Sequence, residues 1–333
     1  MNFFATNNTE FTTKKLQFGS SSLLIFCFAL MLLPVLVQYN DYVLQVFTHA
    51  LLLATLALAW NILGLSGSVS LGHAAFFGAG AYSSALLCLK AGLSPWITIL
   101  FGGFISVGLG LVMGLICRRL RGAYFALATL AFVQIPWVIT DNWDGLTRGS
   151  LGLVGLPGLP VLRLGSWHIN IGSSITASYY LMLVYALVLL CVMGFLFNSN
   201  LGLGLQAIRE EEVAAEAVGV RVDSLRLLAL LLSAFFTGIS GACYAHLVRY
   251  IEPGLVYGIH FSALPMILAI CGGRFTMLGP ALAALILYPV DQFVFHPLLP
   301  AGHEFLYGIV LILTVLFVPA GFWGTLGRKL RFL

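Results

Sequence analysis

Charged residues are scarce in this sequence. Asp, Glu, Lys and Arg make up only 8% of its 333 residues, whereas hydrophobic residues make up 60%. A soluble domain carries roughly 25% charged residues, because a globule must present a polar surface to water. Together with a mean hydropathy of +1.01, this shortage excludes a soluble globular fold. It predicts that membrane lipid surrounds most of the chain.

The sequence also lacks motifs that carry chemistry. A phosphate-binding loop ends in Gly-Lys followed by Ser or Thr, and none of the four lysines has these neighbours: Lys14, Lys15, Lys90 and Lys329. It contains no HExxH motif, no paired carboxylates within an apolar stretch and no nucleophile–base pair. We therefore expect no catalytic site. Any ATP-driven process that uses this chain must take its energy from another subunit.

Cysteines and basic residues are few and scattered. All six cysteines lie within or at the ends of apolar stretches, a pattern typical of small apolar side chains and not of a disulfide framework or a metal site. The net charge of +4 comes from basic residues between apolar stretches, with no patch that would indicate nucleic-acid binding. The sequence thus predicts no metal, no resident cofactor and no nucleic-acid partner.

Ten apolar stretches can be drawn, and we interpret each as a membrane span. A helix needs roughly 20 residues to cross the hydrocarbon core, so short or Gly-interrupted stretches are expected inside the bundle. No small-x-small cleavage site follows the first stretch, which predicts an uncleaved first span. The stretches are 18–38, 43–65, 74–89, 95–117, 123–140, 178–197, 227–247, 259–272, 277–295 and 305–320.

The distribution of Lys and Arg sets the orientation. With the N-terminus inside, 12 of the 16 basic residues fall in inner segments. The outer ones are Lys90, Arg148, Arg163 and Arg249. The positive-inside rule therefore predicts an even number of spans and two cytoplasmic termini. The expected fold is an all-α, polytopic bundle of about ten spans in the inner membrane, with a transmembrane domain at 23–326 between cytoplasmic segments at 1–22 and 327–333.

Small residues recur on one face of the fourth stretch and of the seventh. They are Gly102, Ser106, Gly110 and Gly114 in the fourth, and Ala234, Gly238 and Ala242 in the seventh. Helices in lipid associate where small residues let their backbones approach. Both stripes therefore predict a tightly packed bundle.

Residues 61–82 form a polar break between the second and third stretches, in which serines and glycines interrupt an apolar, uncharged context. Ser70 is placed to cap the next helix, and such a helix end would leave amide groups pointing into a polar cavity. The alternative is a plain connecting loop with His73 reaching the membrane surface.

The longest outer loop, 141–178, is rich in Gly and Pro. Loops of this length are usually functional or disordered, so docking of an external partner and a passive connection are equal alternatives.

The inner segment 198–226 is the most informative part of the sequence. Within it, Leu205–Val220 is rich in residues that favour helix, and Gly219 is a good terminator. We expect one short helix with small residues on one side and carboxylates on the other. Anionic lipid would repel its acidic cluster, so a cationic protein partner fits better. A solvated acidic linker helix is the alternative. The cluster is Glu210, Glu211, Glu212 and Glu216.

Four parts of the sequence carry a family resemblance. They are Leu58–Tyr82, Arg121–Leu130 with Asn142–Gly149, Ala207–Gly219, and Ile270–Pro280 with Val318–Gly324. From about residue 50 onward the chain resembles the inner-membrane permeases of branched-chain amino acid ABC transporters, specifically the LivM type. It departs from the family pattern at Leu201–Gly204, where a basic residue is frequent, at Arg148, where Gly is usual, and at Phe275, which replaces a Gly.

The resemblance implies a binding-protein-dependent importer of leucine, isoleucine and valine. In it, this permease would pair with a second, homologous permease subunit, two cytoplasmic ATPase subunits that use the ATP, and an extracytoplasmic substrate-binding protein. The segment around residue 210 would be the coupling helix that inserts into an ATPase. The residues implied in coupling are Ala207, Arg209, Glu210, Glu211, Ala214, Ala215, Glu216 and Gly219.

The substrate and its path are less firmly indicated. Import of urea or short amides would use the same scaffold. An ion-coupled secondary transporter would need ionisable groups within spans, for which the candidates are His49, His246, His260 and Asp291. We place six residues along a translocation path: Asn61, Ser70, His73, Tyr82, Tyr124 and Thr129.

Overall fold

The computed structural model describes residues 20–160 and 174–300, short strands at 162–164 and 167–169, and isolated residues between 302 and 321. Helices dominate these residues. In chain order they are α1 (Ser20–Leu36), α2 (Asp41–Gly64), α3 (His73–Ala91), α4 (Pro95–Cys117), α5 (Gly122–Phe132), α6 (Gln134–Asn142), α7 (Asp144–Thr147), α8 (Ile175–Asn198), α9 (Asn200–Glu210), α10 (Glu212–Ala217), α11 (Val222–Val248), α12 (Pro253–Val256), α13 (His260–Gly272), α14 (Gly279–Val290) and α15 (His296–Leu298). A 3-10 turn covers Gly149–Leu151 and a π-helical turn covers Asp291–Phe295.

Eight helical stretches of the described residues are long and apolar enough to cross a membrane. They are Asp41–Gly64, His73–Ala91, Pro95–Cys117, Gly122–Asn142, Ile175–Asn198, Val222–Val248, Pro253–Gly272 and Gly279–Leu298. These match the second to the ninth of the ten predicted spans, and the all-α membrane fold is confirmed. The third and eighth predicted spans were drawn too short, since their helical stretches contain 19 and 20 residues.

The structure does not test the first and the last of the ten predicted spans in full. The first predicted span, 18–38, forms α1, which has 17 residues and contains Pro34. Ser20 is also the first residue that the structure describes, so the length of the first span is not tested. The structure describes only six isolated residues of the tenth, 305–320. A total of ten spans and two cytoplasmic ends therefore stay predictions.

The helix α2 forms the centre of the bundle, and every residue from Ala50 to Ser66 is buried. The predicted small-residue stripes of α4 and α11 pack against each other. A Cβ added at Gly110 would lie 2.9 Å from Cβ of Ala234, and one added at Gly238 would clash with Oγ of Ser106. The stripe prediction is confirmed, because only small residues permit this approach.

The two ends of the bundle differ in charge. Five arginines that the sequence assigns to inner segments lie around one end, which we call the inner end: Arg118, Arg121, Arg209, Arg226 and Arg274. At the opposite, outer end, Nζ of Lys90 donates to the carbonyl of Gly145 at 3.1 Å. This separation agrees with the orientation predicted from the positive-inside rule.

The outer end carries the β structure of the described residues. Strand β1 (Leu153–Val154) pairs antiparallel with β4 (Tyr250–Ile251), and β2 (Leu162–Leu164) pairs with β3 (Trp167–Ile169). The first ribbon ties the long outer loop to the segment after α11. That loop ends earlier than the predicted residue 178, because Oγ of Ser174 accepts a hydrogen bond from the Ala177 amide at 3.3 Å and caps α8.

Candidate coupling site and translocation path

The inner segment 198–226 folds as two helices, so the prediction of one short helix is wrong. Helix α9 ends at Glu210, Glu211 takes an extended backbone (φ −158°, ψ 109°), and α10 begins at Glu212. The extended residue turns the Glu212 side chain toward arginines of neighbouring helices. Helical periodicity alone contains no sign of these partners, which explains the wrong prediction.

Helix α10 is exposed on most of its surface. Val213 is 72% exposed and Val218, which follows the helix, is 80% exposed. Ala214 and Glu216 are also exposed, whereas Ala215 is buried against the bundle. Exposed apolar side chains between carboxylates fit a surface that another protein covers.

The turn after α10 confirms the predicted role of Gly219 as a helix terminator. Its φ of +90° lies in the left-handed region, which glycine adopts without strain. The Gly219 amide donates to the carbonyl of Glu216 at 2.9 Å, and the Val220 amide donates to that of Ala215 at 3.0 Å. These bonds close the turn between α10 and α11.

Four charged side chains anchor α10 to the bundle, and we call them the Glu212 clasp: Arg121, Glu212, Asp223 and Arg226. Arg226 donates from both terminal nitrogens to the two Glu212 oxygens, at 2.8 Å each. Arg121, which directly precedes α5, donates to Glu212 at 2.7 Å and to Asp223 at 2.9 Å. A bidentate Arg–carboxylate pair fixes both distance and orientation. The clasp therefore joins α10 to the first turns of α5 and α11.

Partial burial by itself raises the pKa of Glu212, but the hydrogen bonds from Arg226 and Arg121 outweigh this effect and hold the pKa below its usual range. A carboxyl group whose pKa is lowered by folding contributes stability at neutral pH. This contribution is lost as pH falls from about 4 through the lowered pKa.

We expect Glu212→Gln to destabilise the protein by about 1–2 kcal/mol at pH 7, because both arginines lose an anionic partner. The measurement is the thermal unfolding midpoint in detergent at pH 7 and in steps from about pH 4 downward, through the lowered pKa of Glu212. The difference from the wild type should narrow at the lower pH, since the wild-type Glu212 becomes protonated there. Glu211→Gln, at the exposed neighbouring position, is the control. An equal effect of both variants would contradict the clasp.

A cleft of about 750 Å³ opens beside the clasp at the inner end. It lies between the loop after α2, the inner end of α4, the start of α5, the end of α9 and the start of α11. Its polar lining includes Ser66, Ser68, Arg118 and Glu211, together with the clasp. The inner segment 198–226 thus forms one wall of this cleft.

Three of the six predicted path residues lie together around the polar break. Oγ1 of Thr129 accepts a hydrogen bond from the Leu71 amide at 3.0 Å, and Nε2 of His73 lies 2.8 Å from Oγ of Ser233 on α11. Ser70 and His73 are buried, so His73 does not reach the membrane surface as the loop alternative required.

Ser70 does not cap α3, so this expectation is wrong. The capping position is Gly72, whose amide donates to Oγ of Ser70 at 3.1 Å. The amide of Ala74, in the first turn of α3, donates to Oγ of Ser262 on α13 at 3.0 Å. The sequence predicted that amide groups at the start of α3 point into a polar cavity. In the structure, a neighbouring helix supplies an acceptor for one of them.

The other three path candidates lie elsewhere. Asn61 is buried in α2 and donates from Nδ2 to the carbonyl of Thr276 at 3.1 Å. Tyr82 is buried and stacks on Tyr257, with ring centroids 6.1 Å apart. Tyr124 is 75% exposed on α5. None of the six lines the inner cleft or a smaller cavity beside Gln45 and His49, so their role in translocation stays a prediction.

Two of the histidines considered for ion coupling, His246 and His49, have uncharged hydrogen-bond partners. In buried His246, Nε2 lies 2.9 Å from Oγ of Ser84 and Nδ1 lies 2.9 Å from the carbonyl of Pro157. Nδ1 of His49 lies 2.9 Å from the carbonyl of Gln45. These contacts are typical of packed polar groups.

Sequence reasoning missed the clasp. Glu212 was recognised as part of the acidic cluster and Arg121 as part of a family pattern, but their pairing joins residues 91 positions apart. The one available signal was an acidic residue without an obvious partner in a segment flanked by inner arginines. The eight apolar helices define the class as a polytopic α-helical membrane protein, with an exposed, ion-paired helix at its inner end.

Comparison with known proteins identifies the family. The model of the branched-chain amino acid transport system / permease component family matches residues 42–315. The high-affinity branched-chain amino acid transport system permease proteins LivM of Salmonella typhimurium and Escherichia coli are each 30% identical to this chain, over 259 and 258 residues. These alignments cover 72% of this chain and 60% of each relative. The chain belongs to this ABC-type permease family and is a multi-pass inner-membrane protein.

The name of a further relative states a different transported substrate. The autoinducer 2 import system permease protein LsrC of Yersinia enterocolitica is 24% identical over 328 residues, which is 94% of this chain and 83% of the relative. No solved structure matches this chain. The family therefore carries more than one kind of substrate.

Proposed function

We propose that this chain is the membrane-spanning permease subunit of a binding-protein-dependent ABC importer for branched-chain amino acids. The observation that carries the proposal is the exposed helix α10, which presents Val213 and Glu216 outward while the Glu212 clasp holds it to the bundle. A soluble subunit that binds such a helix could displace it and thereby move the membrane bundle. The partners would be two cytoplasmic ATPase subunits, a second permease subunit and an extracytoplasmic binding protein.

In this mechanism, ATP-driven closure of the ATPases displaces α10. The clasp passes the displacement to the first turn of α5 through Arg121 and to that of α11 through Arg226 and Asp223. Helices that pack backbone to backbone move together, so α11 would carry α3 and α4 with it. The ATPases with bound ATP would bind one arrangement of the bundle more tightly than the other. ATP would thereby shift the population between the outward-open and inward-open arrangements.

The substrate assignment rests on the LivM relatives, whose names state branched-chain amino acid transport. The relative LsrC, which aligns with more of this chain, favours autoinducer 2 as a second candidate. Urea and short amides are further alternatives on the same scaffold. Selection among them would lie mainly in the external binding protein.

Uptake competition separates these substrates. In cells that lack this chain, we expect uptake of labelled leucine at low concentration to fall, and in cells that contain it we expect excess valine or isoleucine to compete. Excess urea, acetamide or autoinducer 2 should leave leucine uptake unchanged. Competition by one of these three, with none by valine, would refute the amino acid assignment and leave the permease assignment intact.

A further inference from the structure

The ring of Phe275, in the loop between α13 and α14, lies against the inner segment 198–226, which we call the coupling segment. Cζ of Arg209, in the last turn of α9, lies 4.3 Å from the ring centroid of Phe275. Cζ of Arg274 lies 4.4 Å from the same centroid. Guanidinium groups at this distance are attracted to the electron-rich face of an aromatic ring. One phenyl ring thus holds two like-charged side chains at one point.

Arg209 is also enclosed by the polar break after α2. A Cβ added at Gly67 would lie 3.2 Å from Cγ and 3.6 Å from Cα of Arg209. The side chain of Arg209 is 22% exposed, whereas that of its ion-pair partner Glu210 is 73% exposed. Arg209 therefore points into the bundle, although the family resemblance suggests a role in contact with the ATPase.

The loop that holds Phe275 continues directly to the centre of the bundle. The carbonyl of Thr276 accepts the hydrogen bond from Nδ2 of Asn61, and its Oγ1 accepts one from the Gly279 amide that begins α14. Oδ1 of fully buried Asn61 has no hydrogen-bond partner among the described residues. A short series of contacts thus runs from Arg209 through Phe275 and Thr276 to Asn61 of α2.

The ring offsets an electrostatic conflict at this point. Burial lowers the pKa of Arg274 below its usual range, and the nearby charge of Arg209 lowers it further. Two guanidinium groups brought together repel each other, and Glu210 forms its ion pair with Arg209 on the more exposed side. The Phe275 ring gives each of them a favourable contact, so its removal should let α9 and the α13–α14 loop separate.

We propose that Arg209 and Phe275 form a joint that transmits displacement of the coupling segment to the α13–α14 loop and through Thr276 to Asn61. Both are positioning residues that act on helix arrangement. This inference rests on the proposed function and adds a route to it: the clasp moves α5 and α11, while the joint moves α2 and the loop between α13 and α14. Loss of the joint should leave ATP hydrolysis running without productive transport.

The test uses the complete complex, purified and reconstituted in liposomes, with labelled-leucine uptake and phosphate release measured in the same vesicles. Phe275→Leu keeps apolar volume but removes the ring. We expect it to retain its ATPase subunits and hydrolyse ATP near the wild-type rate, while leucine imported per ATP falls about tenfold. Phe275→Tyr keeps the ring and should restore the wild-type ratio. Phe195→Leu, at a position that is 74% exposed on α8, is the matched control and should have no effect.

Arg209→Ala should reproduce Phe275→Leu, and the double variant should be no worse than either single one, because both remove the same contact. Three results would overturn the joint while the wild-type complex remains coupled: a normal ratio in Phe275→Leu, multiplied defects in the double variant, or loss of the ATPase subunits in place of uncoupling. A wild-type complex without ATP-dependent leucine uptake would instead overturn the proposed function, and the joint with it.

Discussion

Gly80→Leu is expected to abolish folding of the membrane bundle. Helices α3, α4 and α11 meet at this residue: a Cβ at Gly80 would clash with the backbone of Gly238, and one at Gly102 would lie 2.8 Å from the carbonyl oxygen of Gly80. Backbone atoms cannot rotate away as side chains do, so the helices would have to separate along their whole contact. We estimate a cost above about 3 kcal/mol, at the upper end for overpacked positions, which is a large part of the total stability of a typical protein.

The measurement is the yield of monodisperse protein after extraction in detergent, together with its resistance to protease. Gly108→Leu is the matched control, because it lies on α4 in the same part of the bundle but a Cβ there meets no atom within 4 Å. We expect Gly108→Leu to give normal yield. Normal yield and protease resistance of Gly80→Leu would contradict the close packing described for these three helices.

Glu216→Lys combined with Gly219→Pro is expected to release the ATPase subunits and leave the bundle folded. Glu216 is exposed on α10, so its replacement reverses a charge that would face a cationic partner. Proline fixes φ near −65° and has no amide hydrogen, whereas Gly219 has φ +90° and donates to the Glu216 carbonyl. The turn that sets the angle of α10 is lost. We expect the co-purifying ATPase to fall at least about tenfold, as loss of a charged contact and of preorganisation implies.

The unfolding midpoint of this variant should fall only slightly, because the strain of proline at φ +90° and the lost hydrogen bond are confined to an exposed turn, where a Cβ would meet no atom within 4 Å. Asp41→Lys makes the same change of charge at the outer end and should retain the ATPases. Normal co-purification from the Glu216→Lys, Gly219→Pro variant would refute the assignment of α10 as the docking element.

Features with a strong one-dimensional signature could be predicted from the sequence. Spans are visible because lipid demands long apolar runs, and the stripes of α4 and α11 are visible because close backbone approach demands small residues every four positions. Gly219 was predicted as a helix terminator for a similar reason, since a left-handed residue after a helix favours glycine.

Features that depend on distant partners could not be predicted. The break at Glu211 follows from the pairing of Glu212 with Arg121 and Arg226, and nothing in residues 205–220 alone encodes it. Ser70 looked like a helix cap because the acceptor that α3 uses, Ser262, is 188 positions away from the Ala74 amide. Phe275 was noted as a departure from a glycine pattern, but only the fold places it beside Arg209.

The predicted path residues likewise depend on partners that are distant in the sequence. Small polar residues in an apolar context predicted a polar cavity, whereas Ser70, His73 and Thr129 are buried in the structure. Their hydrogen bonds are made to other helices, so the sequence could not tell a packed polar contact from a substrate contact. Tyr124 shared their apolar context and lies on an exposed face of α5.

The central claim is that separate ATPase subunits drive this permease through α10. Its most direct test is purification of the chain from native membranes in mild detergent, followed by identification of the associated subunits and measurement of ATP hydrolysis. We predict a complex with a second permease subunit and two ATPase subunits that hydrolyses ATP. Isolation of the chain without any ATPase, together with uptake that persists when ATP is depleted and collapses with an uncoupler, would contradict it.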